Sequence, residues 1–150
     1  GNMISLSQIE EDVLEICSQI GTREVAKDPW GGHQMGANLE AEGLVVVDIP
    51  QQVRYLSDPM KEIAALIDSG RFHHDGNPAF LWMMANVEVK EDRNENIFPR
   101  KLRAVNKIDA AVALIVAMSR AMNRLSDPVS HDVAPNVMLG IWVTALAMIV

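Results

Sequence analysis

The stretch Arg23-Glu24-Val25-Ala26-Lys27-Asp28-Pro29-Trp30 constrains the fold more than any other part of the chain. Val25 and Ala26 sit between polar neighbours in a run long enough for one short buried strand, with helical patterns on both sides. Pro29 has no N–H to give to a ladder, so the strand must stop before it. Asp28 then falls at the carboxyl end of a strand, where open α/β sheets place their ligands and chemistry. A carboxylate is costly to bury alone, so Asp28 needs a cation, a hydrogen-bond network or a metal ion. The plain alternative is an Asp that opens a proline turn.

The neighbouring segments alternate helix and strand. Residues 1–6 read as the end of an extended segment. Ser7-Gln8-Ile9-Glu10 reads as a capping box with Ser7 as N-cap. Ile9, Val13, Ile16 and Ile20 follow at helical spacing, and Gly21 closes the helix. A second helix over residues 32–42 carries Met35 and Leu39 on one face and stops at Gly43. Leu44-Val45-Val46-Val47 is a strand apolar at successive positions, as when both faces are covered, and Pro50 ends it. Strand, helix and strand in that order predict a parallel pair with a crossover helix.

Further on, Ser57 or Asp58 caps a third helix with Pro59 in its first turn; Met60, Ile63, Leu66 and Ile67 form its inner face and Gly70 ends it. Asn77-Pro78 starts a short helix containing Leu81, Trp82 and Met84. Val87-Glu88-Val89-Lys90 alternates with period two and pairs with residues 94–98 as a hairpin around a polar turn. Residues 108–122 are nearly all helix-forming and apolar. The chain then turns polar near Ser126-Asp127-Pro128 and ends in an apolar run over residues 137–150.

A length of 150 residues predicts one domain with a real core. Apolar residues at 49% and charged residues at 22% exclude a disordered composition. The net charge of −7 excludes a protein that coats nucleic acid, so any DNA contact must be local or helped by metal ions. Cys17 is the only cysteine, which excludes an internal disulfide, argues for a reducing compartment and disfavours structural zinc. No signal peptide is visible, and the terminal apolar run is shorter than the roughly 20 residues that span a bilayer. No glycine-rich loop ends in Lys-Ser or Lys-Thr, so these residues contain no nucleotide-hydrolysing motor.

Asp109 lies in the first turn of the last long helix. An acidic residue there gains a few tenths of a kcal/mol to about 1 kcal/mol from the helix dipole and often does nothing more. A carboxylate on a packed helix is equally a rigid place for a metal ligand. Asp28 and Asp109 together can serve hard divalent cations, and two such ions about 3.5–4 Å apart support in-line phosphodiester hydrolysis. His73-His74-Asp75-Gly76-Asn77-Pro78 is a polar turn in which His74 and Asn77 either make turn and capping bonds or face a substrate backbone. Arg100, Lys101, Arg103 and Lys107 are either a solvated face or a set of phosphate contacts. Trp30 and Trp82 are expected to pack against a sheet rather than stack on bases.

These pieces resemble one family. Lys27-Asp28-Pro29-Trp30 after a helix, Glu42-Gly43-Leu44 opening a strand, and Leu56-Ser57-Asp58-Pro59-Met60-Lys61-Glu62 are similar to the nuclease domain of tailed-phage terminase large subunits. So are the run from Ser69-Gly70-Arg71-Phe72 to Asn77-Pro78, Leu81-Trp82-Met83-Met84-Ala85-Asn86-Val87, and Lys107-Ile108-Asp109-Ala110-Ala111-Val112-Ala113-Leu114, in order and with suitable gaps. The resemblance covers residues 1–122, a partial nuclease domain, and leaves residues 123–150 as a C-terminal tail with an apolar helix.

The resemblance implies an α/β, ribonuclease H-like fold, N-terminally truncated, with a mixed sheet flanked by helices and acidic residues that bind Mg²⁺ or Mn²⁺ at a two-metal site. Asp28 matches the family's second acidic position and Asp109 its last; His74, Asn77, Asn86 and Lys101 match recurring polar positions. The implied activity is endonucleolytic cutting of concatemeric phage DNA during packaging. The implied partners are double-stranded DNA and, for the full-length protein, the terminase small subunit and portal, in the cytoplasm of a bacterial host and away from membrane. The family's first acidic residue and its ATPase lie upstream of Gly1, so the chain reads as a fragment or a degraded prophage remnant. A metal site lacking one ligand loses more than the roughly 10–100-fold caused by outer-shell changes, so weak metal affinity and little cutting are expected of these residues alone. The second reading is an inactive remnant that acts only through protein contacts.

Overall fold

The first helix begins where a serine hydroxyl takes over a backbone amide. Ser5 is extended, and its Oγ accepts from the Gln8 N–H at 3.4 Å, so α1 (Leu6–Ile20) starts before Ser7 rather than at it. Glu10 does not reach back as a capping box requires: its Oε2 accepts from Asn38 Nδ2 at 2.8 Å instead. The computed structural model describes residues 5–126 apart from Arg23 and Gly31. The predicted apolar run at 137–150, and residues 1–4 of the extended segment predicted at 1–6, lie outside those residues; Leu6 of that segment opens α1.

Two compact units divide the chain, one ending at Pro50 and the other starting at Gln51. In the first, α1 closes on Gly21 in the left-handed region (φ 67°), whose N–H bonds back to the last turn. Cys17 is the buried residue of α1, while Ile9, Val13 and Ile16 are half-buried. Ile20, assigned by its spacing to the same face, is 48% exposed at the helix end.

β1 (Glu24–Lys27) pairs in parallel with β2 (Val45–Asp48), Val25 opposite Val46 and Lys27 opposite Asp48, and α2 (His33–Ala41) is the crossover. Gly36 of α2 is buried and faces Val46: a Cβ built there would lie 3.6 Å from Val46 Cγ1. Successive strand side chains point to opposite faces, so Val45 points away from α2. It is 55% exposed, which corrects the expectation that both faces of this strand are covered.

In the second unit α3 (Val53–Asp68) follows an N-cap at Gln52, more than one turn before the predicted Ser57 or Asp58 cap. Ser57 is buried inside the helix, and its Oγ accepts the Ile97 N–H of β4 at 3.1 Å. A tertiary bond therefore claims the side chain that the sequence pattern assigns to a cap. Pro59 lies in the second turn, where it has no N–H to offer the Tyr55 carbonyl. Leu56, Met60 and Ile63 are buried, whereas Ile67 is 50% exposed and leaves the predicted inner face.

α4 (Pro78–Ala85) follows an Asn77 cap. β3 (Val87–Glu91) and β4 (Ile97–Lys101) form an antiparallel hairpin, Val89 opposite Pro99. α5 (Asp109–Ser126) packs on α3 and α4, and α3 also packs on β4. Leu56 of α3 and Leu114 of α5, both fully buried, mark the centre of this core. Among the described residues the strands thus form one parallel and one antiparallel two-stranded sheet. None of the helices described is long and apolar enough to cross a membrane.

Trp30 is 87% exposed and Trp82 51% exposed. Neither packs against a sheet as predicted. Trp30 lies in a tight turn in which its backbone N–H is bound by the Asp28 carboxylate.

Candidate metal carboxylates and their supports

Pro29 ends β1 as the sequence requires, and Asp28 follows the last paired residue. Asp28 is half-buried; its Oδ1 accepts the Trp30 N–H at 2.8 Å, and Oδ2 makes no hydrogen bond within the unit. The neighbouring cation is already neutralised: Lys27 Nζ lies 2.5 Å from Asp48 Oδ1, and only 3.5 Å from the Asp28 carbonyl oxygen, a weak contact. Lys27, Asp48, His33 and Glu40 line a shallow polar depression over Gly36.

Asp109 opens α5 in the second unit. It is half-buried, and its carboxylate has no hydrogen bond or ion pair within that unit. Its surroundings are fixed instead. Ile108 is buried and accepts the first helical bond, from the Val112 N–H at 3.0 Å. The Ala110 N–H is taken by Met83 Sδ of α4 at 3.3 Å. Asn86, 8% exposed at the end of α4, donates from Nδ2 to the Lys107 carbonyl at 3.1 Å and accepts from Asn106 Nδ2 at 2.9 Å. Met83 and Asn86 have roles that periodicity does not reveal. The available signal was a lone amide closing the otherwise apolar run Phe80-Leu81-Trp82-Met83-Met84-Ala85.

His74 and Asn77 are exposed and engaged locally. His74 Nδ1 accepts the Gly76 N–H at 3.0 Å, and its ring lies 6.2 Å from that of Phe72 and 5.9 Å from that of Phe80. Asn77 Oδ1 accepts the Ala79 and Phe80 amides at 2.9 and 3.2 Å, the N-cap arrangement of a helix that begins with proline. Arg100, Lys101, Arg103 and Lys107 are all exposed, on β4 and on the link to α5. Within neither unit do three His, Cys, Asp or Glu side chains converge as a metal cluster among the described residues.

Two ionisable groups are displaced from their ordinary values. Burial pushes the Cys17 thiol up, which keeps it protonated and unreactive. The Asn96 side chain, and then the Asn96 backbone N–H, hold the Asp92 carboxyl down at the hairpin turn.

This arrangement of helices around short strands is the fold of solved phage nucleases. The crystal structure of the bacteriophage HK97 large terminase superposes with a TM-score of 0.70 at 24% identity, covering 80% of this chain and 26% of that one. The large terminase nuclease of thermophilic phage G20c matches at 0.62 and 18% identity, over 80% of this chain and 64% of that one. The same nuclease with bound magnesium matches at 0.55 and 19% identity, over 75% and 61%. The class is thus an α/β fold of the ribonuclease H-like type, as the resemblance implied.

The chain belongs to the family of terminase large subunit endonuclease domains, whose family model matches residues 1–124. Among curated relatives, protein YmfN of Escherichia coli K12 is 48% identical over 97 residues, which are 63% of this chain and 21% of that protein. The terminase large subunit of Enterobacteria phage HK97 is 23% identical over 129 residues, 85% of this chain and 26% of that protein. The chain therefore spans about a fifth to a quarter of the length of these relatives.

Proposed function

We propose that the chain is part of the nuclease domain of a phage terminase large subunit, a metal-dependent endonuclease that cleaves concatemeric viral DNA during genome packaging. Beside the family membership, the observation that carries this reading is the Asp109 carboxylate. It is half-buried, fixed in the first turn of a packed helix, and without a partner in its own unit. A carboxylate partly withdrawn from water normally recovers that cost through a partner, and a hard divalent cation is a suitable one.

Asp28, in the other unit, is read as a further metal carboxylate; one of its oxygens is held by the Trp30 N–H. Carboxylate oxygens suit Mg²⁺ or Mn²⁺, the ions of a two-metal site. Such ions, when bound, polarise the phosphodiester and lower the pKa of an attacking water. The chain's own residues orient what binds. Arg100, Lys101, Arg103 and Lys107 hold the backbone of double-stranded DNA by local positive charge, which a chain of net charge −7 needs. His74 and Asn77 shape the turn before α4 and serve as supporting residues for DNA. In packaging, the partners are the terminase small subunit and portal, in the bacterial cytoplasm.

The test is Asp109→Asn in a large subunit carrying these residues. Plasmid cutting should be abolished and ATP hydrolysis left nearly intact. Unchanged cutting removes Asp109 from the site.

A further inference from the structure

We infer that Asn86 is a positioning residue that fixes the Asp109 carboxylate for its metal, an inference that rests on Asp109 being a metal ligand. Asn86 closes α4, and its backbone and side chain make four hydrogen bonds. Its N–H bonds the Met83 carbonyl at 3.2 Å and its carbonyl accepts the Leu102 N–H at 3.0 Å. Its side chain grips the Lys107 carbonyl at 3.1 Å and the Asn106 amide at 2.9 Å. One residue thus holds both ends of the link between β4 and α5. The neighbouring Met83 holds the Ala110 N–H, directly beyond Asp109.

The Asp109 carboxylate takes no hydrogen bond from its own unit, so what these bonds hold is the chain on either side of it, at Asn106, Lys107 and Ala110. Ligand geometry must be held to about 0.5 Å for a metal site to work, and the support comes here from side chains one step removed. A buried amide in an apolar helix costs desolvation unless each of its groups is matched, and the groups of Asn86 are matched by the segment that carries Asp109.

The experiment is an Mn²⁺ titration of a nucleotide-free large subunit carrying these residues, followed by electron paramagnetic resonance of the free ion, with melting recorded in parallel. Asn86→Leu keeps the branched shape in a somewhat larger side chain and removes both side-chain bonds. It should weaken Mn²⁺ half-saturation by roughly tenfold or more, as outer-shell losses do, and Asp109→Asn should abolish the same binding. Ser57→Ala removes a buried bond elsewhere in the unit; it should lower the melting temperature and leave half-saturation unchanged.

If Asp109→Asn weakens binding and Asn86→Leu does not, the positioning role is overturned and the metal reading stands. If Asp109→Asn binds Mn²⁺ as the parent does, the metal reading is overturned and the inference with it. Equal weakening by Ser57→Ala would reduce the Asn86 effect to general loosening and overturn the inference too. Should Asn86→Leu fail to fold, Asn106→Ala leaves the Lys107 bond in place and removes only the Asn106 contact. It should give an intermediate loss of affinity, and unchanged binding counts against the proposal.

Discussion

Lys27 and Asp48 are directly opposed across the parallel β1–β2 pair, and their side chains close that pairing with an ion pair of 2.5 Å. The Lys27 stem runs under α2 because residue 36 is glycine: a Cβ there would lie 2.9 Å from Lys27 Cε. Lys27 can therefore stay largely buried while its ammonium reaches Asp48, which remains half in solvent.

Gly36→Ala sets two effects of similar size against each other. Alanine in a helix interior is favoured over glycine by roughly 0.5–1 kcal/mol. The clash falls on the movable end of a lysine, so the cost is the ion pair, about 0–1 kcal/mol for a partly exposed pair. Net stability should change by less than about 0.5 kcal/mol. The coupling should vanish: Asp48→Asn should destabilise the parent in urea and have almost no effect in the Gly36→Ala background.

Ser57→Ala should be more damaging than its chemistry suggests. Alanine is the better helix former by a few tenths of a kcal/mol. The change leaves the partly buried Ile97 N–H without its acceptor, which costs about 1–3 kcal/mol. The loss wins, and denaturant titration should show a net destabilisation near 1–2 kcal/mol.

Asp92 makes the hairpin turn sensitive to acid. Its carboxylate accepts from the Asn96 side chain at 2.9 and 3.2 Å and from the Asn94 and Asn96 amides at 2.8 and 3.0 Å. Its folded pKa is therefore held below the ordinary 3.8. A depressed carboxylate adds stability that is complete above the unfolded value and is lost as pH falls through the lower folded value. Amide exchange at Asn94 and Asn96 should thus accelerate only below about pH 4. In Asn96→Ala the Asp92 titration followed by NMR should move back up toward its ordinary value.

Asp28 offers a clean separation of structure from charge. Asparagine retains the Oδ1 acceptor for the Trp30 N–H, so Asp28→Asn should keep the turn and change stability by less than about 0.5 kcal/mol. Asp28→Ala loses the turn bond and should cost about 1 kcal/mol. If Asp28 is a ligand, both variants lose Mn²⁺ affinity to the same extent. A loss confined to Asp28→Ala would show that turn geometry, rather than the carboxylate, matters.

The residues that punctuate the chain were readable because local chemistry decides them. Gly21, Pro29, Gly43, Gly70 and Asn77 end or begin elements where their backbone preferences require, and strand–helix–strand order gave the parallel pair. The start of α3 was not readable, since a buried bond from Ser57 to β4, 40 residues away, overrode a local capping pattern. Asn86 lies in a stretch that resembles the family, but its grip on Lys107 spans 21 residues and leaves no periodic trace. Trp30 follows Pro29 in a local turn closed by Asp28 and is exposed, against the general tendency of tryptophan to pack. For the proposed site, the places of the two aspartates beside a proline and at a helix start were legible, while the bond from the Trp30 N–H to Asp28 and the bonds on either side of Asp109 were not.

The basic residues before α5 make the last prediction, because the phosphate contacts proposed for them would affect DNA binding differently in kind from the carboxylates. Arg100, Lys101, Arg103 and Lys107 are exposed, so removing one costs the fold little. Each phosphate contact releases condensed counterions, and the slope of log K against log salt changes by roughly 0.9 per contact on duplex DNA. Lys101→Ala combined with Arg103→Ala should therefore flatten that slope by nearly 2. The weakening should be the same for unrelated DNA sequences, since phosphates carry no base information. Asp109→Asn removes a negative charge and should leave the slope unchanged or bind DNA slightly more tightly. Fluorescence anisotropy with a labelled duplex at several salt concentrations distinguishes the two classes. An unaltered slope in the Lys101→Ala, Arg103→Ala protein would assign that face to solvent.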